Sequence, residues 1–159
     1  MPATGEQYRR YFPGLKPEED RIWRVFLHAY EGRFTRFYYN LYLGEGGQAS
    51  PSALAPYPEL ADAHREWWRN LTRRKADVLA LAEDGEWWII EVKYRARPSI
   101  LGQVLIYDQL LKPTHGIEAD VLAVVCVDIG QDVADLLAEH EVYVYQVQLP
   151  LARVTRVGG

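Results

Sequence analysis

Two apolar segments joined by a very short turn constrain the fold of this chain most strongly. Residues 73–82 and 86–93 are rich in β-prone side chains, and the turn between them is Glu83-Asp84-Gly85. So short a connection permits an antiparallel hairpin and leaves no room for a parallel crossover. The sequence therefore predicts two neighbouring antiparallel strands here.

The length of the turn decides which residues face each other across the hairpin. A three-residue loop with Gly85 in the left-handed conformation places Asp77 directly opposite Glu91. A two-residue turn would place Asp77 opposite Val92, with the two acids on opposite faces of the sheet. Because Gly85 stands where the longer loop favours glycine, we predict the three-residue register.

The three-residue register gathers charge at the open end of the hairpin. One face would carry six charged side chains, namely Arg73, Lys75, Asp77, Glu91, Lys93 and Arg95. Opposed carboxylates repel each other unless a positive charge lies between them. Two carboxylates suit Mg²⁺ or Mn²⁺, because such ions keep several waters and use phosphate oxygens as further ligands. The alternative is a strand end where acids and bases neutralise one another near solvent.

The position of the second strand favours a site over a neutralised strand end. Residues 87–90 are Trp-Trp-Ile-Ile, apolar on both faces, which predicts a central strand. Charges at the end of a central strand face a crevice, and Lys93 could orient a water or stabilise charge on a phosphate there.

The rest of the chain reads as one mixed α/β domain, residues 1–159, with one sheet and flanking helices. Residues 1–16 are expected to form a loosely attached arm. Residues 44–71 are expected to be an insertion made of a Gly, Ser and Pro loop followed by a helix over 59–71. The remaining elements are expected as a helix from Pro17, a strand over 33–43, a helix from Pro98 to about Lys112, a central strand over 119–129, a short helix and a final strand over 141–149.

Composition excludes several classes of function. The net charge of −4 argues against a uniform attraction to nucleic acid, although 69–75 and 93–97 are locally basic. No apolar run is long enough for a membrane span, and no signal-peptide pattern is present. Cys126 is the only cysteine, which favours a reduced, cytoplasmic setting, and its apolar neighbours indicate a buried structural thiol.

These motifs resemble the PD-(D/E)XK nuclease superfamily. Lys-Ala-Asp at 75–77 resembles its aspartate motif without the proline, and Glu-Val-Lys at 91–93 resembles its E-x-K motif. Gln103 and Tyr107 resemble the Q-x-x-x-Y motif of RecB-like exonucleases, and the core is also similar to that of Holliday-junction resolvases. The resemblance implies a restriction-endonuclease-like core in the order α-β-β-β-α-β, over residues 17–127.

The resemblance also implies roles for individual residues. Asp77, Glu91 and the backbone carbonyl of Val92 would hold the metal, and Lys93 would assist the attacking water. Gln103 and Tyr107 would support the site. Many members add a glutamate from the first helix; Glu19 is the best candidate by position, with Glu18, Glu31 and Glu66 as alternatives. Phosphate contacts are expected from Arg73, Lys75, Arg95 and Arg97.

Two functions of different classes remain at this point. The first is a metal-dependent nuclease acting on DNA in repair, recombination or phage DNA processing. The second is a nuclease-like fold without catalysis, used as a structural or assembly protein such as a phage neck or head-tail connector component in a virion. A homo-oligomer or a subunit of a larger assembly is compatible with the second. Nucleic-acid binding without chemistry is least favoured, because no aromatic residues alternate with the basic runs.

Overall fold

The computed structural model of the protein describes residues 5–46, 66 and 72–158. These residues form a single sheet with helices on both of its faces. The elements are a short 3-10 helix Glu6–Tyr8, α1 Pro17–Ala29, β1 Phe34–Leu43, β2 Arg74–Ala82, β3 Trp87–Ala96, α2 Ser99–His115, β4 Val121–Ile129, α3 Gln131–Glu139, β5 Val142–Gln148 and β6 Arg153–Val157.

The sheet is mixed, with six strands in the spatial order β1-β2-β3-β4-β5-β6. β1, β2 and β3 are antiparallel, β3, β4 and β5 are parallel, and β6 returns antiparallel to β5. From α1 to β4 the chain follows the predicted α-β-β-β-α-β order, which confirms the fold class. β3 is a central strand as expected, since β2 and β4 pair with its two sides.

The hairpin has the predicted three-residue register. Val78 pairs with Ile90, and Leu81 pairs with Trp87. Gly85 has a φ of 90°, and its N–H donates to the carbonyl of Ala82 over 3.0 Å. Continuing this register by one residue places Asp77 opposite Glu91.

Two apolar layers cover the two faces of the sheet. Ile22, Trp23 and Phe26 of α1 pack on one face, against a row from the central strands that includes Val78, Ile90, Val92 and Val125. The helices α2 and α3 cover the other face, with Val104, Tyr107, Leu111 and Leu137 buried against the sheet. Cys126 lies in this second layer, where burial raises the pKa of its thiol to about 12, as expected for a structural thiol.

The expectation of a loosely attached N-terminal arm is wrong for the described residues 5–16. Phe12 is fully buried in the layer under α1 and contacts the ring of Tyr39. The Gln7 amide donates to Glu31 Oε1 over 2.9 Å, and the Arg24 guanidinium donates to the Gln7 carbonyl over 3.1 Å. The polar, proline-containing composition of this segment gave no indication that the Phe12 side chain is buried in the core.

Two further predictions need correction at the C-terminal side. α2 continues to His115, past the expected end near Lys112, and Gly116 in the left-handed conformation ends it. The strand β5 is not the final one, because β6 follows after a turn. This strand is short and contains two arginines and a threonine, so it lacks a clear apolar pattern.

Most of the predicted insertion at 44–71 lies outside the described residues, as does its helix over 59–71 apart from Glu66. Within the described part of the chain, no helix is long and apolar enough to cross a membrane.

Replacing Phe12 by alanine tests whether the N-terminal segment belongs to the core. We expect Phe12→Ala to lower the free energy of unfolding by about 3–5 kcal/mol, because a fully buried ring would leave a cavity. Urea denaturation followed by circular dichroism measures this change. Tyr11→Ala is the matched control, since the neighbouring ring is 65% exposed and should change stability by less than about 0.5 kcal/mol. Equal effects of the two substitutions would contradict the packing.

Candidate metal and catalytic site

Asp77 and Glu91 are tied together by two reciprocal hydrogen bonds across β2 and β3. The backbone N–H of Asp77 donates to Glu91 Oε1 over 3.0 Å. The backbone N–H of Val92 donates to Asp77 Oδ2 over 2.9 Å. The recorded backbone pairing of the two strands ends at Val78 and Ile90, so these carboxylates bond backbone groups beyond the end of the ladder.

Burial makes this pair of acids electrostatically unusual. Glu91 is only 2% exposed, and burial, followed by the charge of Asp77, raises its pKa well above the ordinary value. Burial is also the main reason that the pKa of Asp77 is raised. A hydrogen bond between the two carboxyl groups raises the pKa of Glu91 and lowers that of Asp77. Without a cation, the buried pair is therefore best satisfied by sharing one proton.

Lys93 and Glu19 bring further charge to the pair. The ammonium group of Lys93 lowers the pKa of both carboxyls, so it lies within electrostatic range of each. Glu19, near the N-terminus of α1, is 5% exposed, and its charge raises the pKa of Asp77. Its Oε1 accepts a hydrogen bond from the Lys16 N–H over 3.0 Å, which holds the side chain at the start of the helix.

Of the four candidate glutamates, Glu19 is the one with an electrostatic effect on Asp77. Glu18 and Glu66 are exposed, and Glu31 accepts a hydrogen bond from Gln7.

The α2 helix contributes Tyr107 to the same region. Burial and the charges of Glu91 and Asp77 raise the pKa of Tyr107 to about 12, against a smaller opposite effect of Arg74. The phenol is thus close to the acids and keeps its proton at physiological pH. Gln103 lies one turn earlier on α2 and is half-buried, and its amide makes no hydrogen bond with any other described residue.

The regular alternation of β2 side chains between the two faces of the sheet is interrupted at Asp77. Val78 packs in the layer under α1, whereas Ala76, an even number of residues away, packs in the layer under α2. The neighbouring strand β1 does the same: Tyr39 contacts the first layer and Leu41 the second. Asn40, between them, has a φ of 52°, a left-handed conformation that breaks the regular alternation. Asp77 therefore lies where the strand rotates between the two layers.

This rotation corrects the prediction that Lys75 shares a face with Glu91 and Lys93. Lys75 pairs with Tyr42 on β1, and the cations of both Arg73 and Lys75 lie over the Tyr42 ring. Because Leu41 and Leu43 face α2, Tyr42 and Lys75 lie on the other face. Arg73 lies just before β2 and also lines a cavity with Tyr107 and Leu110 of α2. The prediction assumed that the side chains of β2 alternate regularly between the two faces of the sheet, and this alternation is broken at Asp77.

The other two residues predicted to contact phosphates are Arg95, near the end of β3, and Arg97, just after it. Arg95 forms an ion pair with Asp128 at 2.7 Å, with both side chains largely exposed, and Arg97 is exposed. Arg74, which the sequence analysis did not select, faces α2 and interacts with Tyr107. Arg74 pairs with Leu43, which faces α2, and this pairing identifies the face on which Arg74 lies. The pairing is known only from the strand register of the structure.

The donor set fits one hard divalent cation. Each carboxylate uses one oxygen on a backbone N–H, which leaves Asp77 Oδ1 and Glu91 Oε2 for a metal. Across residues 5–46, 66 and 72–158, no group of three or more His, Cys, Asp or Glu is arranged to hold a metal ion. A two-carboxylate site is sufficient for Mg²⁺, which completes its coordination with waters and phosphate oxygens. Burial raises the pKa of both carboxyls, so the charged pair needs a positive partner or a proton to remain buried.

Comparisons with known proteins add little to this geometry. No family model and no curated protein matches the sequence. The structure is similar to the crystal structure of a repair endonuclease from Pyrococcus abyssi, with a TM-score of 0.41 and 17% identity. The match covers 67% of this chain and 50% of that one, so this chain spans about half the length of that protein. At that level of similarity, the site has to be argued from its own contacts.

The raised pKa values predict how stability depends on pH. Between the ordinary carboxyl pKa and the raised values, the folded protein binds more protons than the unfolded chain. Without divalent metal, stability should therefore fall as pH rises through this window. Glu91→Gln should remove most of this slope, since glutamine keeps the acceptor for the Asp77 N–H and can donate to the Asp77 carboxylate.

Thermal unfolding in EDTA from pH 4.5 to 8.5 measures the effect. At pH 8 we expect Glu91→Gln to raise Tm by a few degrees, because 1 kcal/mol corresponds to about 2–4 °C for a chain of this size. Glu83→Gln, at an exposed position in the hairpin turn, is the control and should leave the slope unchanged. A Glu91→Gln protein that is less stable than wild type at pH 8 would refute the shared-proton description.

Proposed function

We propose that this chain is a metal-dependent nuclease of the PD-(D/E)XK kind that hydrolyses DNA phosphodiester bonds. The observation that carries the proposal is the buried, hydrogen-bonded pair Asp77 and Glu91, with Lys93 two residues after the glutamate. A buried pair of like charges is costly to maintain for structure alone, because apolar side chains would fill the same space more favourably. Its retention is explained if it binds a cation that the reaction uses.

The metal would be held by the free oxygens of Asp77 and Glu91, with the Val92 carbonyl as a further candidate ligand. When bound, Mg²⁺ or Mn²⁺ polarises a phosphoryl oxygen and lowers the pKa of a bound water. Glu19 lies close enough to influence the charge of Asp77. We assign it a supporting role at the acidic end of the site.

Lys93 supplies the positive group of the site. Its ammonium lies within electrostatic range of both acids and could orient the attacking water or stabilise charge that develops on the phosphate. Tyr107 keeps its proton and can donate a hydrogen bond, and Gln103 offers an amide on the same helix. Arg74, Arg95 and Arg97 are available for neighbouring phosphates.

Cleavage of labelled single- and double-stranded DNA with Mg²⁺ or Mn²⁺ tests the proposal directly. We expect wild-type protein to give metal-dependent products. Glu91→Gln and Lys93→Met should each reduce the rate by about 100-fold or more, since each removes a group acting on the reacting phosphate. Lys112→Met, which removes an exposed lysine paired with Glu118, is the matched control and should retain wild-type activity.

Circular dichroism must show that every variant is folded. A folded wild-type protein without cleavage under either metal would refute the nuclease assignment. Such a result would favour the structural or assembly role as the explanation of the fold.

Binding of the metal can be tested without catalysis. We expect millimolar Mg²⁺ or Mn²⁺ to raise the Tm of the wild-type protein at pH 8, because the cation replaces the shared proton and binds only the folded state. Asp77→Asn should abolish this increase. Asp128→Asn, at an exposed position on the neighbouring strand β4, should preserve it. A metal response that is equal in all three proteins would place the cation elsewhere.

A further inference from the structure

The rotation of β1 and β2 leaves an exposed tyrosine surrounded by positive charge beside the proposed site. Tyr42 is 40% exposed, and the Lys75 ammonium lies 4.9 Å from the centre of its ring. The Arg73 guanidinium lies 5.9 Å from the same centre. We call these three residues, Tyr42, Arg73 and Lys75, the Tyr42 platform.

The cations of this platform are not neutralised by the described part of the chain. No carboxylate among residues 5–46, 66 and 72–158 lies within ion-pair distance of Arg73 or Lys75. The Arg73 Nε atom is buried and has no hydrogen-bond partner among the described residues. On a protein with net charge −4, this is a local surplus of positive charge next to an exposed aromatic ring. An anionic ligand with an aromatic group would complement both features.

The platform is continuous with the candidate site along one strand. Lys75 precedes Asp77 by two residues on β2, so their backbones are separated by about 7 Å. The Tyr42 carbonyl also contacts the His115 ring at 2.7 Å, which ties this end of β1 to the end of α2. Tyr42 and Lys75 lie on the face opposite Glu91 and Lys93, so a nucleic-acid strand with a phosphate at Asp77 and Glu91 would reach the platform by passing around the open end of β2, where Arg73 lies.

We propose that the Tyr42 platform binds an unpaired nucleotide of the substrate, with the base on the Tyr42 ring and the phosphates at Lys75 and Arg73. The proposal rests on the nuclease function and specifies its substrate as single-stranded nucleic acid or an unpaired end. Stacking requires an exposed base face, which a paired and stacked duplex does not offer at its sides. The combination of an aromatic ring and a basic groove is typical of proteins that bind single strands.

The structure provides a closely matched control. Tyr38 lies on the same strand and is 42% exposed, but it pairs with Leu79 and faces α2, with its ring near Trp87. Neither Arg nor Lys is recorded over its ring in the described residues. Tyr38→Ala thus removes an equally exposed tyrosine from β1 without touching the platform.

Binding is measured in EDTA by fluorescence anisotropy with a labelled 20-nucleotide oligothymidine and with an abasic oligomer of the same length. We expect Tyr42→Ala to weaken oligothymidine binding at least about fivefold and to leave abasic binding unchanged, because only the first ligand has bases to stack. Tyr42→Phe should retain binding, since phenylalanine keeps the ring. Lys75→Ala should weaken both ligands and reduce the slope of affinity against salt by about 0.7.

The outcomes distinguish this proposal from the nuclease function itself. Loss of binding in Tyr42→Ala but not in Tyr38→Ala supports the platform, whether or not DNA is cleaved. Equal binding by wild type and Tyr42→Ala, or no binding of oligothymidine by wild type, would overturn it even if the protein cuts duplex DNA. Unfolding curves of both alanine variants exclude a loss of binding through misfolding.

Discussion

The reciprocal hydrogen bonds between Asp77 and Glu91 are the interaction on which the rest of the site depends. They join β2 and β3 beyond Val78 and Ile90, where the recorded backbone pairing ends, and they fix one oxygen of each carboxylate. The other oxygen of each carboxylate remains free of these two bonds, and the Glu91 side chain is buried. Burial of this arrangement raises the pKa of both carboxyls, and the two oxygens left free suit a divalent cation.

Much of the fold could be predicted because local chemistry determined it. Glycine at Gly85 fixed the hairpin loop and therefore the register that brings Asp77 opposite Glu91. Continuous apolar sequence marked β3 and β4 as central strands. Phe12 was missed because nothing in the sequence distinguishes it from the neighbouring exposed Tyr8 and Tyr11. The strand β6 was missed because its five residues include two arginines and a threonine and have no clear apolar pattern.

The site was predictable where a short turn fixes the pairing of two strands, and unpredictable where the pairing partner is distant in sequence. Asp77 and Glu91 bond across the hairpin in the register that the turn predicted, and Lys93 and Tyr107 lie within electrostatic range of them. The roles of all four residues are proposals. Arg74 and Tyr42 could not be identified, because each gains its meaning from a neighbour on another element. Their positions depend on the rotation at Asn40, which no residue pattern in β2 indicates.

That rotation has a consequence for how β1 and β2 tolerate change. Each strand is divided into two halves that present opposite sides to the two apolar layers, and Asn40 and Asp77 lie at the division. Deleting one residue at the division would turn the side chains of the outer half of that strand to the opposite face of the sheet. In β2 the deletion would place Lys75 against α2, and in β1 it would expose Leu43 to water. The length of these strands at the division is therefore constrained independently of the chemistry of the acids. The position of the two acids and the sidedness of the sheet therefore both depend on the backbone at this division.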